Sequence, residues 1–184
     1  MRILGTLAGS GTPQLVTTGF QLDSGQTINI PNVPGWSGRI WARTGCTFDA
    51  TGVGSCLTGD CGGRLECNGN GAAPPASLFE ITLGEEKDFY DVSIVDGYNL
   101  PLVAAPRGVG GGCNVTGCVA DINMGCPREL QVIGRQNAGA LSGARARASV
   151  GARPVLLQRG IREPDDMQAV VLFRNVQESL PESL

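Results

Sequence analysis

Seven cysteines and no histidine most restrict the fold and chemistry of this chain of 184 residues. No two of the cysteines form a CxxC pair, and no imidazole is present to complete a zinc set, so the sequence predicts no metal site and no cofactor. Disulfide pairing in an oxidising compartment is the favoured interpretation. The lack of histidine excludes Ser-His-Asp and Cys-His catalysis and haem ligation by histidine. Acid–base chemistry near neutral pH would therefore have to come from Asp or Glu.

The first 132 residues have the pattern of many short strands joined by glycine-rich turns. The chain contains 28 glycines, and only 5% of its residues are aromatic. This composition favours an all-β fold, with long loops pinned by the cysteines. The predicted strands are Thr17–Leu22, Gln26–Pro31, Gly38–Thr44, Ser77–Leu83, Phe89–Val95, Leu100–Ala105, Val119–Asn123 and Glu129–Val132.

The composition changes after Val132. Residues 133–162 hold six arginines and no acid, whereas residues 163–184 hold five acids and a single arginine. We therefore predict two units, a partial sandwich domain over residues 1–132 and an unrelated, disordered Arg/Ala/Gly-rich tail over 133–184. Acids in the first turn make Asp165–Leu180 a candidate short helix. An arginine-rich run can also serve as a nucleic-acid arm, but the net charge of -3 argues against a nucleic-acid partner.

Four runs of sequence resemble the thaumatin-like family. They are GWSGRIWARTGC (35–46), TGDCGGRLEC (58–67), FYDVSIVDGYNLP (89–101) and CPRELQV (126–132). The resemblance implies a flattened β-sandwich with cysteine-pinned loops, in a chain that begins after the family's opening strand and lacks its second, disulfide-rich domain.

The resemblance also implies a disulfide pattern. Cys46 would pair with Cys56, and Cys61 with Cys67. The family partners of the remaining three cysteines lie beyond the matching part of the chain, so these three are predicted to be unpaired: Cys113, Cys118 and Cys126.

The family's acidic cleft supplies the candidate site. By position in the matching runs, Arg43, Glu80, Asp91 and Asp96 would line it. Glu80 and Asp91 are the candidate catalytic pair, because glycoside hydrolysis needs two carboxyls in different protonation states. Asp96 can approach Asp91 only if it belongs to the Asp-Gly turn, since residues five apart on one strand point to opposite faces. Without the resemblance, each would be interpreted as a solvated strand residue.

The functional expectation is a secreted plant defence protein. The resemblance implies that it binds β-1,3-glucan of fungal walls as a monomer. Weak endo-β-1,3-glucanase activity, an inactive truncated product, and a sweet-tasting or protease-inhibiting protein are the alternatives. Asn114 begins an N-glycosylation motif, although residues 1–10 do not resemble a signal peptide. No run of residues approaches the length of a membrane span.

Overall fold

A computed structural model of the chain describes residues 2–23, 25–31, 33–107, 115–134, 141–144 and 168–173. These residues form short strands and two 3₁₀ turns, Ile122–Gly125 and Arg128–Leu130. The strands are β1 (Arg2–Ala8), β2 (Gly19–Leu22), β3 (Ser37–Arg43), β4 (Thr47–Phe48), β5 (Gly54–Ser55), β6 (Leu78–Thr82), β7 (Phe89–Ser93), β8 (Leu102–Arg107), β9 (Thr116–Cys118), β10 (Gln131–Ile133), β11 (Leu141–Ala144) and β12 (Gln168–Phe173).

Two antiparallel sheets form a sandwich. The larger sheet has the order β2-β1-β3-β6-β7, and the smaller has the order β12-β8-β9. Two-stranded ribbons join β4 to β5 and β10 to β11. Apolar side chains of the larger sheet pack with those of β8 in one buried cluster, which contains Leu4, Ala8, Trp36, Ile40, Phe79, Ile81, Tyr90, Leu102 and Ala104. The predicted all-β thaumatin-like sandwich is confirmed.

The opposite face of the larger sheet, called here the outer face, is only partly covered. Residues 56–76 form a covering loop, and a second apolar cluster lies beneath it. In this cluster Trp41 and Leu78 pack with Cys61 and Cys67. The Trp41 indole donates a hydrogen bond to the Gly59 carbonyl over 2.8 Å. The loop is thus fastened to the sheet by packing and by this hydrogen bond, while the Cys61–Cys67 disulfide closes the loop on itself.

Two predicted strands are wrong. Residues 26–31 have no strand structure, although Ile30 packs at the edge of the sandwich core. Ile28, the other apolar residue of the alternating pattern, is exposed, so the pattern corresponds neither to a strand nor to a buried face. The predicted strand Val119–Asn123 does not form either. Its last two residues begin the 3₁₀ turn Ile122–Gly125, which the Asp121 carboxylate caps by accepting the amide hydrogen of Asn123. Strand β1 was not predicted, although it is paired on both sides.

Two segments of the predicted tail form strands. Residues 141–144 pair with β10, and residues 168–173 pair with β8. The second segment lies inside the predicted helix Asp165–Leu180, and its apolar, β-branched residues extend the smaller sheet instead. Residue 133 also belongs to a strand, β10, and residue 134 is described after it. The remainder of the predicted tail lies outside the described residues, and the division of the chain at residue 132 stays a prediction.

The cysteine pairing follows the resemblance. Disulfides join Cys46 to Cys56 and Cys61 to Cys67. Cys118 and Cys126 carry free thiols, as predicted, whereas Cys113 and the glycosylation candidate Asn114 lie outside the described residues. Within the described ranges no helix is long and apolar enough to cross a membrane.

The two disulfides should differ in their contribution to stability. Loop-closure entropy assigns each roughly 2–3 kcal/mol, with slightly more for the longer Cys46–Cys56 loop. The Cys61–Cys67 sulfurs also fill the buried cluster beneath the covering loop, so C61A/C67A should cost about 2 kcal/mol more than C46A/C56A. Urea unfolding of both double variants measures the difference. Equal losses, or a larger loss in C46A/C56A, would contradict this assignment.

Candidate functional site

Three charged side chains from adjacent strands form a row on the outer face. Arg39 of β3 is in register with Glu80 of β6, and Glu80 is in register with Asp91 of β7. The Arg39 guanidinium forms an ion pair with Glu80, with Nε 2.5 Å from Oε1. Directly opposed residues in antiparallel strands have Cβ atoms about 4.5–5.5 Å apart. The sheet thus holds one guanidinium and two carboxyls together, and we call them the charged row.

The charged row lies in an open depression with a volume of about 500 Å³. Its lining comes from residues 7–10, at the end of β1, and from 37–39, 80–82 and Asp91. Leu7 also packs against the cluster beneath the covering loop, so the depression borders the covered part of the outer face. Arg39 stays 46% exposed and Glu80 27% exposed. The row is therefore accessible to a ligand from solvent.

The two carboxyls of the row differ in environment. Partial burial raises the pKa of Asp91, and the negative charge of Glu80 raises it further. The positive charge of Arg39 partly opposes this rise. Glu80 itself forms the direct ion pair with Arg39. Asp91 is thus the carboxyl of the row that protonates more readily than an ordinary aspartate.

Arg43 does not belong to the charged row, although it was the predicted cleft arginine. Its side chain is only 1% exposed. It lies four residues along β3 from Arg39, which corresponds to about 13 Å of extended strand. The guanidinium that is paired with Glu80 in the row is that of Arg39.

The buried Arg43 guanidinium has a structural role. It donates hydrogen bonds to the carbonyls of Leu4, Arg64 and Leu65, at 3.0, 2.8 and 2.5 Å. Burial lowers the pKa of Arg43 to about 10, while the charges of Asp60 and Glu66 oppose the change. The guanidinium therefore stays protonated at neutral pH, and hydrogen bonds to three backbone carbonyls compensate its buried charge.

The remaining candidates are distributed as follows. Asp96 lies in the turn after β7, as the Asp-Gly sequence suggested, but it is not among the residues that line the depression. Trp36 and Trp41 are 4% and 0% exposed, so they pack in the two apolar clusters and are not accessible to a ligand.

Asp60 accepts hydrogen bonds from the amides of Cys56 and Gly63 and orders the covering loop. The prediction missed Arg39 because the cleft arginine was assigned to Arg43 from its position in the matching family run. Alternation offers no correction, since it places Arg39 and Arg43 on the same face.

Comparison with known proteins identifies the family. The Thaumatin family profile matches residues 3–152. The chain belongs to the thaumatin family. The match extends past residue 132 and so includes part of the segment predicted to be unrelated.

Plant proteins are among the relatives of this thaumatin family member. It is 55% identical to "Thaumatin-like protein 1" of Pyrus pyrifolia over 68% of the chain, and 53% identical to "Pathogenesis-related protein 5" of Arabidopsis thaliana over 76%. It is also 51% identical to a Prunus avium protein named "Glucan endo-1,3-beta-glucosidase" over 69% of the chain. These alignments cover 53%, 58% and 53% of the relatives, so the chain spans little more than half of their length.

A solved structure shares the fold. The thaumatin-like xylanase inhibitor TLXI superposes with a TM-score of 0.61 over 94% of this chain and 92% of the inhibitor, at 21% identity.

Substitution by lysine should separate the roles of Arg39 and Arg43. Lysine cannot reproduce the set of donors that the Arg43 guanidinium directs at three carbonyls. R43K should therefore lower the free energy of unfolding by about 3 kcal/mol. R39K changes an exposed ion pair and should cost less than about 1 kcal/mol. Urea unfolding at neutral pH measures both variants, and a larger loss in R39K would contradict the assignment.

The raised pKa of Asp91 predicts a pH-dependent gain in stability on neutralising this residue. The folded state binds more protons than the unfolded state between the ordinary Asp pKa of about 3.9 and the raised value. The contribution of Asp91 to the free energy of unfolding of the wild type therefore falls as the pH rises from the ordinary pKa to the raised one. D91N should raise the melting temperature at pH 7, with the gain disappearing near pH 3. Glu86 is an exposed carboxylate, and E86Q controls for net charge. An equal gain in E86Q, or a gain in D91N that persists at pH 3, would refute this account.

Proposed function

We propose that this thaumatin-like chain is a secreted plant defence protein that binds β-1,3-glucan of fungal walls through the charged row. The observation that carries the proposal is the row of Arg39, Glu80 and Asp91 in an open depression. Carboxylates accept hydrogen bonds and a guanidinium donates them. The row can therefore accept hydrogen bonds from sugar hydroxyls and also donate hydrogen bonds to them. The pathogenesis-related relatives support the role in defence, and the name of the Prunus avium relative supports glucan as the ligand.

Binding without hydrolysis is the favoured form of this proposal. Glycosidases place their two carboxyls on either side of the scissile bond. Glu80 and Asp91 are directly opposed on neighbouring strands and belong to one sheet face, so they approach a bound sugar chain from the same side. This geometry suits hydrogen bonding to hydroxyl groups better than attack and protonation across a bond.

Weak endo-β-1,3-glucanase activity is the second candidate. The observation that favours it is the unequal environment of the two carboxyls. Asp91 has a raised pKa, and Glu80 is paired with a guanidinium. One protonated and one ionised carboxyl are what acid-assisted hydrolysis requires.

Neutral amide variants should distinguish the two candidates. If the row only binds, E80Q and D91N keep hydrogen-bonding groups and should weaken capture on insoluble β-1,3-glucan by only ~1–2 kcal/mol each. Reducing-sugar release from laminarin should stay at background in the wild type. The exposed variant E86Q serves as the control and should match wild type in both assays.

Two results would change this conclusion. Laminarin hydrolysis that is lost in E80Q, while capture on glucan persists, would establish the enzymatic alternative. Unchanged capture in R39A, E80Q and D91N together would show that the charged row does not bind glucan.

A further inference from the structure

A second polar row lies beside the charged row on the same face. Ser37 of β3 is in register with Thr82 of β6. Each lies two residues along its strand from Arg39 or Glu80, and side chains two residues apart share a face. The spacing between the rows is therefore about 6.6 Å along the strands. The Ser37 and Thr82 hydroxyl oxygens are 2.8 Å apart, and both residues line the depression.

Gly9, at the edge of the depression, leaves the space above this hydroxyl pair open. Gly9 follows β1, and its amide donates to the Ser37 carbonyl over 2.7 Å. A Cβ atom at Gly9 would lie 3.3 Å from that carbonyl oxygen and 3.6 Å from the Ser37 hydroxyl. A side chain there would therefore occupy the part of the depression next to the hydroxyl pair.

The chemistry of the two rows is complementary. In a hydrogen-bonded hydroxyl pair one O–H is used within the pair, which leaves one donor and several lone pairs for a ligand. Such a pair has no charge and suits the hydroxyl groups of a neutral sugar. The charged row alone offers contacts within one narrow strip of the sheet, whereas both rows together offer contacts at two points along the strands.

We propose that Ser37 and Thr82 form a second binding subsite, which takes the sugar unit next to the one held by the charged row. The proposal rests on the proposed function, since it extends the same glucan site. It makes the depression selective for oligomers of the sugar over the single sugar, because the hydroxyl pair is used only when the ligand extends past the charged row.

Calorimetric titration of the full chain with glucose and with β-1,3-linked glucose oligomers of increasing length tests the subsite. In the wild type, affinity should rise with oligomer length until both rows are occupied. S37A/T82V removes both hydroxyls and should weaken binding of the longer oligomers about tenfold, since each neutral hydrogen bond contributes roughly 0.5–1.5 kcal/mol. Binding of glucose should be unchanged.

Control variants separate the subsite from a purely structural effect. T82S keeps the hydroxyl and should bind as wild type, and T47V removes an exposed strand hydroxyl of the β4–β5 ribbon and should also bind as wild type. Melting temperatures report whether S37A/T82V is folded. If the double variant is not folded, the single variants S37A and T82V are titrated in its place.

The outcomes separate this inference from the function on which it rests. Wild-type affinity that rises with length and is unaltered in S37A/T82V would overturn the subsite and leave the glucan site standing. No binding of any oligomer or of laminarin by the wild type would overturn the glucan site, and the subsite with it.

Discussion

The buried guanidinium of Arg43 is the contact on which the rest of the outer face depends. It links strand β1, through the Leu4 carbonyl, to the covering loop, through the carbonyls of Arg64 and Leu65. Moving a charge out of water is costly, and only well-placed hydrogen bonds and nearby opposite charges offset that cost. Here the carbonyls and the more distant carboxylates supply both. The loop is consequently held in one position over the sheet.

The position of the covering loop determines where a site can exist. Arg39, Trp41 and Arg43 alternate along β3 and share the outer face. The loop and its buried disulfide enclose Trp41 and Arg43, whereas Arg39 stays in the open depression. Gly19 shows how close the contact is, because a Cβ atom there would lie 1.7 Å from the Leu65 carbonyl oxygen. A site for a ligand therefore begins where this packing ends.

Sequence patterns predicted the parts of the fold that depend on local order and composition. Alternation and turn residues located six of the twelve strands of the described residues, and family resemblance gave both disulfides. Alternation cannot distinguish Arg39 from Arg43, because the two residues are four apart and lie on the same face of the strand. That choice depends on a loop more than twenty residues further along the chain. The 3₁₀ turn after β9 was missed for a local reason, since the Asp121 cap overrides the strand preference of its neighbours.

The arrangement of charge in the row suits the uncharged polymer that we propose as its ligand. Within the charged row, Arg39 compensates Glu80, and the pKa of Asp91 is raised. Because the Arg39 and Glu80 charges compensate each other, the row presents directional donors and acceptors more than a strong field, in agreement with a net charge of only -3. Backbone pairing across three strands fixes the spacing of these groups before any ligand arrives. Pre-organised groups lose less conformational entropy on binding. An ordered sheet face is thus a suitable platform for a chain of neutral sugars, each of which offers only weak hydrogen bonds.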